Sequence, residues 1–283
     1  MGHSHNHSHG HMEGISNVTL AFFLNFGFAI LELVGGAITG STAILSDAVH
    51  DFGDSLAIAL SFIFEKLGKK EANEKYTYGY KRLSLLGAFI NIGVLTVGTI
   101  FVFTEAIQAL AYPKVVKASG MLILAIIGIV INGISVFRMK GSKKILDKTV
   151  MMHLMEDLLG WIAVLVVSII IYFTNWYILD PILSIGICII IGRNIYGNLK
   201  NALMIIMQGV PDEELYLEIK KHISDMNYIE KIEKLNMWTM DGEMHVLTAS
   251  IRVSEKANKS EVLRNIKQVL TAEGINQSTI EVV

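Results

Sequence analysis

The 283-residue chain contains one cysteine, three prolines and few charges, with Lys, Arg, Asp and Glu making up only 18% of it, where a soluble domain carries about 25%. A single thiol, Cys188, excludes an internal disulfide and a thiolate metal cluster within one chain, and reads as a small apolar packing residue. Neither sign of charge dominates: 24 Lys and Arg stand against 26 Asp and Glu, for a formal net charge of −2. That balance lacks the basic footprint of a nucleic-acid partner. The opening MGHSHNHSHGHMEGI has neither the basic start nor the apolar stretch of a cleavable signal, so membrane insertion is expected to rely on the first hydrophobic helix. What the chain does hold is apolar residue, 52% of the total, and that composition is a membrane protein's.

Apolar stretches run roughly from Ile15 to Gly40, Thr42 to Phe64, Leu85 to Ala111, Ala118 to Phe137, Val150 to Phe173 and Trp176 to Met207. Each is long enough for a hydrocarbon core that needs about 20 residues. The expectation is six transmembrane helices over residues 15–208, preceded by a His-rich tail over 1–14. Short connections follow the first, third and fifth stretches. The two long connections hold eleven lysines and arginines, from Lys66 to Arg82 and from Arg138 to Lys148, whereas the opposite side has Lys114 and Lys117. Positive residues stay inside, which predicts a multi-pass plasma (inner) membrane protein with both termini in the cytoplasm.

From Val210 the composition turns charged and mixed, opening on Pro211-Asp212-Glu213-Glu214, a helix-start signature. A cytoplasmic domain over 209–283 is expected. It reads as a helix from about Asp212 to Met226, strands Ile229 to Thr239 and Met244 to Val253 joined at Asp241-Gly242, a helix from Ser260 to Glu273 and a last strand from Thr279. This α-β-β-α-β order fits a small ferredoxin-like α+β layer. About 70 residues is marginal alone, so support from a dimer or the membrane portion is expected.

The second stretch contains LSDAVHDFGDSLAIAL, which places Asp47, His50, Asp51 and Asp54 where a charged aspartate costs at least ~2.5 kcal/mol. His50 and Asp54 are i, i+4 neighbours on one helix face. The fifth stretch repeats the pair as His153 and Asp157 in HLMED. Two helices each offering imidazole and carboxylate one turn apart supply four nitrogen and oxygen ligands, a set that suits tetrahedral Zn²⁺. The competing reading is an interhelical polar network without metal. His153 follows closely on Lys148, so matching the depth of His50 requires the fifth helix to begin earlier, inside the lysine-bearing loop.

These residues resemble the cation diffusion facilitators, six-helix zinc transporters with a cytoplasmic metallochaperone-like domain. The likeness covers nearly the whole chain and rests on LSDAVHDFGDSLAI, YTYGYKR before the third helix, HLMEDLLGW in the fifth, Asp180-Pro181 before the sixth and MWTMDGEMHVLTA in the soluble domain. It implies a homodimer exchanging metal for protons, with His50, Asp54, His153 and Asp157 as the transport ligands. The histidine at the second-helix position is similar to the zinc-preferring form. Asp47 would then orient a ligand or relay protons. Two carboxylates in one dry site resist joint ionisation, Zn²⁺ cancels both charges, and metal ligands must lose their protons; proton-coupled export follows, with Zn²⁺ as transported substrate and H⁺ as counter-ion.

Asn236, Ser250 and Gln277 stand where the family's soluble domains often carry histidine, leaving His245 as the main metal candidate there. His222, among Lys220, Lys221 and Asp225, reads as a solvated surface residue. In the N-terminal tail His3, His5, His7, His9 and His11 alternate with small polar residues, a disordered tract able to bind zinc weakly; an expression tag is the competing origin. Asn25 and Glu32, seven apart on one face of the first helix, either border the ion path or hydrogen-bond to neighbouring helices, the structural role being preferred, and Glu105 and Asp180 are expected to face interfacial water at the boundary where Tyr112, Trp176 and Tyr177 cluster.

The leading reading is therefore a zinc exporter, with Cd²⁺, Co²⁺, Fe²⁺, Mn²⁺ or Ni²⁺ as alternative cargo. A metal sensor with a membrane anchor is the second. An intramembrane metallohydrolase is disfavoured, since H-E-x-x-H is absent and four ligands leave no open position for water. A channel is disfavoured because tight coordination slows release.

Overall fold

The computed structural model describes residues 10–139, 145–275 and 277–283. Six long helices come first: α1 (Gly10–Thr39), α2 (Thr42–Gly68), α3 (Leu83–Ala111), α4 (Ala118–Met139), α5 (Ile145–Thr174) and α6 (Leu179–Ile206). Then come α7 (Glu213–Ser224), β1 (Ile229–Thr239), β2 (His245–Val253), α8 (Lys259–Ala272) and β3 (Gln277–Val282). Contacts divide the chain into two compact units, Met1–Leu60 with Ile90–Tyr196, and Ser61–Phe89 with Gly197–Val283.

Among the described residues, three helices are long and apolar enough to cross a membrane, Leu83–Ala111, Leu154–Thr174 and Leu179–Ile206, and Asn25–Thr39 and Ala118–Ile134 are shorter apolar helices. The missing long helix is α2, and the reason is chemical. Every 18-residue window of it holds at least three of Asp, Glu, Lys and Arg, because Asp47, Asp51 and Asp54 sit in its apolar part and Glu65 and Lys66 follow. The helices keep large apolar side chains outward, such as Val97, Phe101, Phe173, Ile189 and Ile190, each more than 60% exposed. An apolar surface that large calls for lipid or a partner.

In the first unit, α4 and α5 pack closely around Trp161, Met121, Ala125 and Val164, all fully buried. Gly128 allows the approach: a Cβ there would overlap the Trp161 indole. α5 begins at Ile145, inside the lysine-bearing loop, as matching the depth of His50 required.

The second unit contains a three-stranded sheet in the order β1-β2-β3, with β1 and β2 antiparallel and β2 and β3 parallel. α7 packs on β1, α8 on β3, and the two helices on each other, around a core of Ile219, Ile223, Leu247, Ile251, Ile266 and Leu270. Asp212 caps α7 by accepting the Glu214 and Leu215 amides at 2.9 and 3.1 Å. The β1–β2 turn is fixed by Asp241, whose carboxylate accepts the Met244 amide at 2.7 Å, with Gly242 at φ 103°, a left-handed conformation that glycine adopts without strain.

Candidate metal centre

α2 is a helix with two polar faces. Asp47, His50 and Asp54, spaced i, i+3 and i+7, turn toward α5. His50 Nε2 lies 3.9 Å from Asp54 Oδ2 on its own helix and 4.0 Å from Asp157 Oδ1 on α5. A tetrahedral ion with bonds of about 2.0–2.1 Å spans donor pairs about 3.4 Å apart; both separations from His50 are longer than that. The side chains of His50, Asp54 and Asp157 are partly buried, with exposures of 20%, 26% and 12%. His153 lies one turn before Asp157 in α5, on the same helix face; its side chain lies outside the described residues.

Asp47 is 6% exposed and interacts with Asp157 and Asp54. It faces α5 at Gly160, where a Cβ would meet its Oδ1 at 3.7 Å; the bare backbone there gives the carboxylate room. Asp51, one turn on from Asp47, points instead to Glu32 of α1. Glu32 is fully buried and interacts with Asp51, Asp47 and Asp157. The sequence offered Glu32 as a border of the ion path or, by preference, a structural hydrogen-bonding group, and the fold adds it to this acidic cluster. Its signal was a lone carboxylate in an apolar helix, which by itself does not name a partner. Asn25 is exposed.

One expectation is corrected outright. Asp180 does not face interfacial water: it is 1% exposed and caps α2 from α6. Its carboxylate accepts the Ser41 hydroxyl at 2.5 Å, the Thr42 amide at 2.7 Å, the Thr42 hydroxyl at 2.9 Å and the Ala43 amide at 3.4 Å. Below it Ser184 bonds Ser46 at 2.7 Å and the Thr42 carbonyl at 3.0 Å, and Cys188 meets Ser46 at 3.5 Å. Asp180, Ser184 and Cys188 are spaced i, i+4, i+8, so one polar seam of α6 holds the helix that carries His50 and Asp54.

In the second unit His245 opens β2, half-buried, with Nδ1 lacking a hydrogen-bond partner. It lines a pocket of about 290 Å³ with Glu243, Met244, Gly274 and Gln277. His3, His5, His7 and His9 lie outside the described residues, as does the side chain of His11. Glu105 does meet the surface, 3.4 Å from Lys114, and Tyr112 and Trp176 are exposed.

Residues 18–207 match the model of the cation efflux transmembrane domain family. Over 99% of its length the chain is 32% identical to the cadmium, cobalt and zinc/H(+)-K(+) antiporter of Bacillus subtilis strain 168, covering 91% of that protein. It is 31% identical to the metal cation efflux system protein CzcD of Cupriavidus metallidurans, over 95% of this chain and 85% of that one. With zinc transporter ZitB of Escherichia coli K12 the identity is 29%, over 95% and 88%. Imidazole and carboxylate side chains on facing helices, a small α+β unit and these matches agree, and the chain belongs to the cation efflux, or cation diffusion facilitator, family of membrane metal-ion transporters.

Proposed function

We propose that this protein exports Zn²⁺ from the cytoplasm in exchange for protons by alternating access, the ion being held by His50 and Asp54 of α2 and His153 and Asp157 of α5. The observation that carries this reading is the 4.0 Å approach of Asp157 to His50 across two helices. Six membrane-crossing helices over residues 15–208, both termini in the plasma-membrane cytoplasm, a cytoplasmic domain over 209–283 and a homodimer complete the proposal. α2 is the costly crossing, and its aspartates are tolerated by turning toward α1 and α5.

The chemistry follows from the ligand set. Neutral imidazoles and two carboxylates present a net charge that a divalent ion cancels, and each ligand must be unprotonated to bind. Protons arriving from outside therefore compete with the ion for the same lone pairs and expel it. Asp47, beside Asp157 and Asp54, is placed to pass protons to them or hold them in position. His245 and the N-terminal histidines would act as weak cytoplasmic collectors of the ion.

The Bacillus subtilis relative is named for cadmium and cobalt beside zinc, which favours a second cargo reading: borderline nitrogen and oxygen donors accept Cd²⁺ and Co²⁺ as well. The test is flux in proteoliposomes, following ⁶⁵Zn²⁺ uptake together with a pH-sensitive dye. Export by exchange gives zinc uptake that rises with an imposed gradient of protons and a matching proton counter-movement. Uptake at the same rate without gradient or counter-movement rejects proton exchange, and competition by Cd²⁺ and Co²⁺ ranks the cargo.

A further inference from the structure

We propose that Glu218, His222 and Glu273 form a divalent-cation site on the soluble domain, distinct from the transport ligands and clasping α7 to α8. One donor atom from each of the three lies within 4.8 Å of the other two. His222 Nδ1 stands 3.6 Å from Glu273 Oε1, close to the edge of about 3.4 Å that a tetrahedral zinc ion imposes on its ligands.

The placement comes from the fold. Glu218 and His222 are i, i+4 on α7 and so share a face. Between and beside them, Ile219 and Ile223 are fully buried in the domain core, which fixes the rotation of α7 and holds the two ligands outward. Glu273 is the C-cap of α8, followed by Gly274 at φ 79°, and α8 is anchored in the same core by Ile266 and Leu270. Two packed helices thus hold the three donors, and no loop rearrangement is needed to assemble them.

The donor chemistry selects the ligand class. A neutral imidazole with two carboxylates carries two negative charges, which one divalent cation balances. Nitrogen with oxygen suits Zn²⁺, Co²⁺ and related ions rather than soft monovalent ones. Glu218 and His222 are exposed and Glu273 half-buried, so water completes the coordination and the ion exchanges with solvent, as a site reporting on free metal requires. Because an ion bound to the folded state alone stabilises it, occupancy tightens the α7–α8 pair.

The test counts ions on the full-length protein in detergent by equilibrium dialysis with ⁶⁵Zn²⁺, comparing the parent with His222→Ala, Glu218→Gln and Glu273→Gln. Each is also measured in an Asp54→Ala, Asp157→Ala background, so that the count does not depend on the transport ligands and failure of that assignment shows separately. Loss of an outer partner alone weakens a metal site ~10–100-fold. The expected result is one ion fewer per chain in His222→Ala and binding weakened at least about tenfold at this site in both glutamine variants, in both backgrounds, with unchanged far-ultraviolet circular dichroism. Any of the three variants binding zinc as the parent does overturns the three-ligand assignment.

Discussion

Asp180 accepts both the backbone amide and the side-chain hydroxyl of Thr42, at 2.7 and 2.9 Å, so the first turn of α2 is capped by a carboxylate from α6. The orphan amides of a helix start usually find an acceptor on their own strand of chain; here the acceptor is 138 residues away. The consequence is that the axial position of α2, and of His50 and Asp54 on it, is tied to α6.

Asp180→Ala removes a charged acceptor from two hydroxyls and two amides that stay buried, at an expected cost of about 1–3 kcal/mol. Thermal unfolding of the purified protein should fall accordingly, and metal flux with it. Asp180→Asn, which keeps one acceptor oxygen, should fall less. Equal unfolding temperatures for Asp180→Ala and the parent would show that the cap carries no stability.

Gly128 and Trp161 set the α4–α5 distance, and α5 carries Asp157. Gly128→Ala forces the indole or the helix to move, and overpacking of this kind costs about 1–3 kcal/mol. The expected readout is a lowered unfolding temperature with weakened Zn²⁺ binding. Gly133, where a Cβ meets nothing within 4 Å, is the control in which Ala is tolerated.

Glu233 ties β1 to β2, with Oε2 2.8 Å from Lys231 Nζ and Oε1 2.8 Å from Arg252 Nη2. The Lys231 hydrogen bond, and then the charges of Arg252 and Lys231, hold its carboxyl below the ordinary value of 4.5. A group depressed on folding stabilises above its unfolded value and loses that contribution as pH falls through the folded one. Glu233→Gln should therefore unfold at a lower temperature than the parent near neutral pH, with the gap closing below about pH 4.5. A gap independent of pH would assign the effect to packing.

Much of this architecture is legible in the residues, and the parts that are not share a cause. β1 occupies the expected Ile229–Thr239, and α7 starts where Pro211 and three acids signalled, because turn and cap chemistry is local. The pairing of His50 with Asp54 is local too. Asp180, Glu32 and the Glu218–His222–Glu273 group are not: each acquires its meaning from a partner on another element. Asp180 beside Pro181 reads as a loop carboxylate until α2 arrives above it, whereas His222 is exposed as its lysine neighbours suggested, and what the residues did not show is Glu273 of the α8 C-cap 3.6 Å away.

In the proposed transport site α2 and α5 hold one ion between them. The most direct measurement is ⁶⁵Zn²⁺ flux in proteoliposomes for His50→Ala, Asp157→Ala and the double variant, each verified as inserted and folded. Since loss of even an outer partner weakens a metal site ~10–100-fold, each single variant should lose flux by more than about tenfold. The double should be no worse than either, because residues serving one site do not add. Full flux in either single variant would contradict a shared site, and the paired residues would then be a structural network between the two helices.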